Sequence, residues 1–109
     1  MSTVSTHVLD IGLGRPAEGV GVTLTCEGAL VASGLTDESG RVGGLGTEGE
    51  SLSAGSYRLT FAVREYFAKT AREAFYREVV VQFEIGDGNE HYHVPLLLGP
   101  FGYTTYRDS

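Results

Sequence analysis

Short segments in which apolar and polar residues alternate recur along this chain, and each is closed by a turn-forming sequence. The alternation is clearest in Val20–Cys26 and Tyr57–Val63, and the β-branched run Glu78–Ile85 continues it. A period of two residues puts one face of an extended strand on a core and the other toward water. Turn signals recur about every ten residues, the spacing of a β-sandwich. The chain is therefore predicted to be all-β.

The remaining segments predict further strands and a single helix. Ala29–Thr36, His91–Leu98 and Phe101–Arg107 are predicted as strands, which brings the total to about seven or eight. Residues 42–56 are rich in Gly, Ser and Glu and are expected to form a surface loop, with room for a short strand. The helix is predicted from apolar residues at helical spacing and one charged pair four residues apart: Phe67, Ala71, Ala74 and Phe75, with Glu65 and Lys69. One helix is too few for a parallel βαβ architecture.

Length and charge limit the classes of function. A chain of 109 residues is expected to form one domain, residues 1–109. The net charge of −6 argues against nucleic acid and against anionic membranes, both of which require basic surfaces. The single cysteine, Cys26, cannot form an internal disulfide, and the N-terminus has no secretory pattern. A cytoplasmic protein is the expectation.

Histidine chemistry is concentrated at His7, His91 and His93, the only histidines of the sequence. His91 and His93 lie two apart on a predicted strand, so their side chains share a face. The alternate positions, Tyr92, Val94, Leu96 and Leu98, are strongly apolar and are expected to face the core. Both imidazoles are therefore predicted to face solvent, a cleft or a partner subunit. A lone exposed histidine is usually inert, so the pairing favours function only modestly.

Other chemistry is possible on the same residues. Three histidines and an open position would suit a catalytic zinc, although no carboxylate or cysteine sits at a matching spacing. Cys26 belongs to the alternating set of a strand and is interpreted as a small core residue. Arg41 and Arg107 are able to hold an oxygen-rich planar molecule, or they are simply solvated charges. The aromatic residues expected in the core are Tyr57, Phe61, Phe67, Phe75 and Phe83.

Four sequence blocks, in order, cover essentially the whole chain. They are Ser5-Thr6-His7-Val8-Leu9-Asp10 with Gly14-Arg15-Pro16-Ala17; Thr36-Asp37-Glu38-Ser39-Gly40-Arg41; Gly55-Ser56-Tyr57-Arg58-Leu59-Thr60-Phe61; and His91-Tyr92-His93-Val94-Pro95-Leu96-Leu97-Leu98, which runs on to Gly102-Tyr103-Thr104-Thr105-Tyr106-Arg107. Together they resemble the transthyretin-related 5-hydroxyisourate hydrolases.

The resemblance implies a prealbumin-like sandwich of two four-stranded sheets and one short helix, assembled as a homotetramer, a dimer of dimers. It implies hydrolysis of 5-hydroxyisourate to 2-oxo-4-hydroxy-4-carboxy-5-ureidoimidazoline in urate degradation, without a metal or organic cofactor. The catalytic residues implied are His7, Arg41, His93 and Ser109. The residues implied for substrate binding are His7, Arg41, Tyr106, Arg107 and Ser109. Which histidine is the base is left open.

The sequence departs from the family pattern at three positions. Asp108 stands where the terminal motif usually has glycine, which adds a charge and a Cβ near the implied site. Gly99 and Arg77 replace a common serine and a common proline at predicted strand ends. Two alternatives outside catalysis stay open: a transthyretin-like carrier of small aromatic ligands, and a structural sandwich domain.

Overall fold

The computed structural model describes residues 2–42, 45 and 52–108 and consists of two four-stranded sheets and one short helix. The predicted all-β sandwich is therefore confirmed. The strands are β1 (Thr3–Asp10), β2 (Arg15–Pro16), β3 (Gly21–Cys26), β4 (Ala29–Leu35), β5 (Gly55–Ala62), β6 (Val79–Ile85), β7 (His91–Leu98) and β8 (Tyr103–Thr105), and helix α1 spans Val63–Lys69. The sheet orders are β2-β1-β7-β8 and β4-β3-β5-β6.

The core lies between the sheets and is built from alternate residues of each strand. Leu24, Leu59, Phe61 and Leu96 are among its largest fully buried side chains. Burial of such side chains contributes about 1.5–3 kcal/mol each, the main favourable term in a domain of this size. Cys26 is half-buried and packs against this core, as its strand position predicts.

The first sheet has a parallel pair at its centre. β1 and β7 run side by side in unbroken register from Thr3 opposite His91 to Asp10 opposite Leu98. The chain builds the whole second sheet between these two strands, so no βαβ unit is needed to join them. The register places the outward residues of the chain's first and second-last strands next to each other.

The helix differs from the prediction at both ends. It begins at Val63 and ends at Lys69, so the expected extension to Phe75 is wrong. The backbone turns left-handed at Ala71, with φ 57°, and the amide of Arg72 donates to the carbonyl of Phe67. A left-handed residue cannot continue a right-handed helix. No helix in the described ranges is long and apolar enough to cross a bilayer.

Two of the aromatic residues expected in the core lie near the end of helix α1, and their burial differs. Phe67, inside α1, is 1% exposed, whereas Phe75, beyond it, is 68% exposed. The prediction for Phe75 is therefore wrong, because it assumed a helical face that the turn at Ala71 removes. Phe83 is half-buried and packs on the core cluster.

Candidate active site

The outward face of the β1–β7 pair carries the two paired histidines. Tyr92 and Val94 are each 6% exposed, and Leu96 and Leu98 are fully buried. His91 is exposed and His93 half-buried on the opposite face of the strand. The prediction that both imidazoles point away from the core is confirmed.

Two hydroxyl side chains of β1 contact these rings, and one of them lies between the two. The Oγ1 atom of Thr3 lies 2.6 Å from Nδ1 of His91. The Oγ atom of Ser5 lies 2.7 Å from Nε2 of His91 and 2.7 Å from Nδ1 of His93. The hydrogen bond with Ser5 engages Nδ1 of His93, so Nε2 is the ring nitrogen available for proton transfer.

His7 and Arg41 meet on the other side of β1. Their backbones form an isolated antiparallel bridge, while β1 pairs with β7 through its opposite edge, where His7 faces Pro95. The Nε2 atom of His7 is buried and has no hydrogen-bond partner among the described residues. Most buried polar atoms in proteins are paired, so an orphaned imidazole nitrogen is a mark of a binding or reaction site.

A tight turn over residues 37–41 positions Arg41. One carboxylate oxygen of Asp37 accepts from the Ser39 amide at 2.9 Å, the Ser39 hydroxyl at 2.6 Å and the Arg41 amide at 3.1 Å. These bonds, that from the Ser39 hydroxyl foremost, hold the pKa of Asp37 below its usual range. Asp37 is therefore ionised near neutrality and keeps the turn closed.

Gly40 lets this turn approach β1. Its φ is +80°, and a Cβ placed there would lie 2.4 Å from the Val8 carbonyl oxygen and 3.2 Å from Cδ2 of His7. The Val8 amide donates to the Gly40 carbonyl at 2.8 Å, so the turn is attached to β1 by its backbone. Glycine is required here both by conformation and by space.

Replacing Gly40 by alanine is expected to lower the free energy of unfolding by about 1–3 kcal/mol or more, since a left-handed backbone and a clash with Val8 add together. Gly28→Ala is the matched control, because Gly28 has φ +85° and open space around it. It should lose only about 1 kcal/mol, the conformational part. Denaturant unfolding of both variants measures the difference. Equal losses would contradict the contact assigned to Gly40.

The environment of His93 disfavours its charged form. Burial lowers the pKa of His93, and the charges of Arg41, His7 and His91 lower it further, while Asp108 opposes them. His93 is therefore neutral at physiological pH and able to accept a proton. The backbone bridges His7–Arg41 and His93–Asp108, together with the register of β1 and β7, place these four residues at neighbouring positions of the sheet.

The C-terminal segment continues along β7 beyond β8. The Asp108 amide donates to the His93 carbonyl at 2.9 Å, and the two residues form an isolated bridge. Continuing this register places Tyr106, which is 50% exposed, on the same outward face as the histidines. Ser109, expected in the site, lies outside the described residues.

Arg107 is not brought to this face. Its guanidinium lies 3.1 Å from a Glu90 carboxylate oxygen and 4.3 Å from the centre of the Tyr92 ring. Strand alternation puts it on the side of Tyr92 and Val94, away from His93. Within one chain these contacts anchor the terminal segment, and a contact of Arg107 with substrate stays a prediction.

The zinc alternative requires side chains that surround one point. Across residues 2–42, 45 and 52–108, no three His, Cys, Asp or Glu side chains are grouped to hold an ion. The ring nitrogens of His91 and Nδ1 of His93 are instead engaged by hydroxyl groups.

The sequence patterns did not single out two residues of the site, Thr3 and Ser5. They lie four and two residues before His7, so strand alternation puts all three on one face. The two-residue period of β1 was detectable from the sequence. However, the polar residues Thr6 and Asp10 interrupt the apolar series on its buried face. The parallel register with β7, which brings Ser5 to His93, has no local sequence signal.

Comparison with known proteins identifies the group to which this arrangement belongs. The sequence matches the HIUase/Transthyretin family over residues 4–108. The chain belongs to this family. The resemblance seen in the sequence blocks is thereby confirmed.

Members of the HIUase/Transthyretin family resemble this chain along nearly its full length. "5-hydroxyisourate hydrolase 2" of Rhizobium meliloti is 44% identical, over 97% of this chain and 95% of the relative. The solved Klebsiella pneumoniae 5-hydroxyisourate hydrolase is 42% identical with a TM-score of 0.89, covering 98% of this chain and 99% of that one. Transthyretin from Sparus aurata is 32% identical with a TM-score of 0.88, covering 96% and 95%. The prealbumin-like form of the sandwich is confirmed.

Proposed function

We propose that this chain, as one domain, is a 5-hydroxyisourate hydrolase that opens the substrate's six-membered ring at an amide bond. The observation that carries the proposal is the convergence of His7, Arg41 and Asp108 on His93, outside the sandwich core. A carrier of apolar ligands needs no such polar set. Full-length relatives named 5-hydroxyisourate hydrolase support the same choice.

The spacing of the two histidines suits a small bicyclic substrate. His93 is opposite Ser5 in the register, and His7 is two residues further along β1. With strands about 4.8 Å apart and a rise of about 3.3 Å per residue, the Cβ atoms of His7 and His93 are about 8 Å apart. A planar ring system bound over this face therefore contacts both imidazoles. Arg41 supplies paired donors for its carbonyl oxygens.

Hydrolysis uses these groups in a fixed order. His93, neutral at physiological pH, takes a proton from water through Nε2 while the water oxygen attacks the ring carbonyl carbon. Arg41 stabilises the negative charge that develops on the carbonyl oxygen. His7, in its protonated form, gives a proton to the leaving nitrogen as the carbon–nitrogen bond breaks. The proton held by His93 then replaces the one that His7 gave.

The terminal segment completes the proposed site. Tyr106, which the register of β7 and β8 carries to the outward face, is proposed to contact bound substrate. Ser109 with its terminal carboxylate is proposed to orient substrate or a histidine. The Asp108 carboxylate favours the protonated form of His93, which opposes the effect of burial. Arg107 contributes through its attachment to Glu90 and Tyr92.

The proposed assembly is a homotetramer, a dimer of dimers. β6 and β8 are edge strands of the two sheets, and Val81, Phe83 and Thr105 from these strands line one shared cavity. An edge strand presents unpaired backbone groups that a second copy can pair with. Exposed aromatic residues around β8, Phe101 and Tyr106 among them, support burial there. A second contact over the outward face of the first sheet would place the sites between subunits.

A spectroscopic assay tests the function. Urate oxidase generates 5-hydroxyisourate in the cuvette, and its ultraviolet absorbance is followed with and without this protein. We expect decay well above the spontaneous rate, unchanged after dialysis against a strong chelator. Decay at the spontaneous rate would overturn the hydrolase and favour the carrier, whereas activity lost to the chelator would favour the zinc alternative.

A further inference from the structure

Ser5 lies between two imidazole rings, and its hydroxyl can give the hydrogen bonds to these rings a direction. Its Oγ is 2.7 Å from Nδ1 of His93 and 2.7 Å from Nε2 of His91. A hydroxyl has one proton to donate and lone pairs to accept. Ser5 can therefore donate to only one of the two rings, and when it donates to Nε2 of His91 the contact with His93 requires a proton on Nδ1 of His93. A His91 ring with an unprotonated Nε2 thus fixes His93 as the Nδ1–H tautomer.

Donation from Ser5 to His91 leaves His93 able to act as a base. In that direction Nδ1–H of His93 donates to Ser5, Ser5 donates to Nε2 of His91, and Nδ1–H of His91 donates to Thr3, 2.6 Å away. The Nε2 atom of His93 is then unprotonated. In the reverse direction Nε2 carries the proton and the ring is no base.

We propose that Ser5 and His91 form a proton relay behind His93, which orients that ring and takes up the charge produced when it deprotonates water. The inference rests on the proposed hydrolase function for its catalytic consequence. Both are positioning residues, since they act through His93 and not on the substrate.

The relay conserves protons at each atom. His93 gains a proton at Nε2 and gives its Nδ1 proton to Ser5 Oγ. Ser5 passes its own hydroxyl proton to Nε2 of His91, so the hydroxyl is restored. One positive charge moves from His93 to His91. The reverse transfer returns that charge to His93, whose Nε2 proton then replaces the one that His7 gave, so all three rings are restored before the next turnover. No other reactant is required.

The surroundings favour this direction of charge movement. His93 is half-buried, and it is faced by Arg41 from the turn, His7 from β1, Asp108 from the terminal segment and His91 from its own strand. His91 is exposed at the end of β7, where water solvates a cation. A charge is more stable on the better-solvated ring.

Nuclear magnetic resonance of the protein labelled with ¹⁵N-histidine tests the relay without substrate. Only three histidines contribute signals. In the wild type we expect the neutral His93 ring as the Nδ1–H tautomer, and two-step titration curves for both His91 and His93. Ser5→Ala should give two independent one-step curves and release the tautomer, while Ser5→Thr should restore the wild-type behaviour.

Kinetics then separate orientation from proton uptake. His91→Gln keeps a hydrogen-bond acceptor for Ser5 but accepts no proton, so the His93 tautomer should persist while kcat falls. We expect kcat to fall about 10–100-fold in Ser5→Ala and His91→Gln with KM little changed, the size of effect seen for outer partners of metal-bound histidines. Ser33→Ala, on the exposed edge strand β4, is the matched control and should keep wild-type turnover.

The outcomes distinguish the relay from the function on which it rests. Independent titration of His91 and His93 in the wild type, or an unchanged tautomer in Ser5→Ala, would overturn the relay even if the protein is an active hydrolase. Coupled titration that depends on Ser5, in a protein that leaves 5-hydroxyisourate untouched, would uphold the relay and overturn the function.

Discussion

Replacing His7 by leucine is expected to lower kcat for 5-hydroxyisourate by about 10²–10⁴-fold, the usual loss when an acid–base group is removed. His7→Gln should lose a similar factor, because an amide neither takes nor gives a proton near neutral pH. His93→Gln should behave in the same way. The ultraviolet assay, run over a range of substrate concentrations, measures kcat and KM for each variant.

The same leucine variant is expected to be at least as stable as the wild type. The Nε2 atom of His7 is buried without a partner among the described residues, and such an atom costs folding free energy. An apolar side chain removes that cost, by up to about 1 kcal/mol. Loss of turnover together with retained stability is the signature of a residue kept for chemistry.

A matched control separates this effect from a general response to substitution. Thr60 is half-buried on the second sheet, opposite Thr23 and away from the histidines. Thr60→Leu should keep wild-type turnover. Equal loss of turnover in Thr60→Leu and His7→Leu, or near wild-type turnover in His7→Leu, would contradict the role assigned to His7.

The parts of the fold that follow local periodicity were predictable from sequence. Val20–Cys26 and His91–Leu98 alternate so regularly that both the strands and their buried faces follow from side-chain order. The helix was not predictable to the same degree. Its apolar spacing continues to Phe75, but the left-handed turn at Ala71 and the pull of Arg72 toward Asp10 end it after seven residues.

The candidate site was predictable in its residues and not in its geometry. His93 could be placed on an outward face because the apolar side chains of its neighbours, Tyr92 and Val94, face the core. The proximity of His7 to His93 depends on a parallel pairing of strands more than 80 residues apart, and such a pairing leaves no local signal in the sequence. The position of Arg107 shows the same limit, since one step in register decides which face a side chain takes.

Outside the site, removal of the Asp10 charge is expected to lower the free energy of unfolding strongly. Its side chain is fully buried at the end of β1, three residues after His7. It accepts from Arg72 Nη2 at 2.5 Å, the Tyr66 hydroxyl at 2.6 Å, and the amides of Gly12 at 3.0 Å and Leu13 at 3.1 Å. These contacts attach the end of helix α1 to the strand that carries His7.

Asp10→Ala is expected to lower the free energy of unfolding by about 3–5 kcal/mol, because it leaves the Arg72 charge and the Tyr66 hydroxyl without their partner. That is a large part of the 5–15 kcal/mol, roughly, that stabilises a typical domain. Glu90→Gln is the matched control. It breaks the Arg107–Glu90 pair, whose side chains are about half exposed and solvated, and should cost far less than Asp10→Ala. Equal costs in denaturant unfolding would contradict the buried role of Asp10.

The pH dependence of stability provides an independent check on Asp10. Burial acts to raise its pKa, but hydrogen bonds from Arg72, Tyr66 and Leu13 outweigh burial and hold the pKa below 3.8. The unfolded chain then binds the proton more readily, so the Asp10 contribution is complete above about pH 4 and is lost as pH falls through the folded-state pKa. Burial and the Asp10 carboxylate raise the pKa of Tyr66 to about 12, so its contribution is complete below about pH 10 and is lost above it.

The difference in unfolding free energy between the wild type and Asp10→Asn should therefore stay constant between about pH 5 and 9 and shrink in stronger acid, where the wild type also becomes protonated. Denaturant unfolding of both proteins at pH 7 and at pH 3 measures it. The asparagine variant keeps the size of the side chain and the acceptor for the Gly12 and Leu13 amides, so what it loses is the charge opposite Arg72 and the second acceptor oxygen, to which Arg72 and Tyr66 donate. A difference that stays the same at both pH values would mean that shape, and not the carboxylate charge, makes Asp10 necessary. The attachment of α1 to the histidine-bearing strand would then not depend on ionisation.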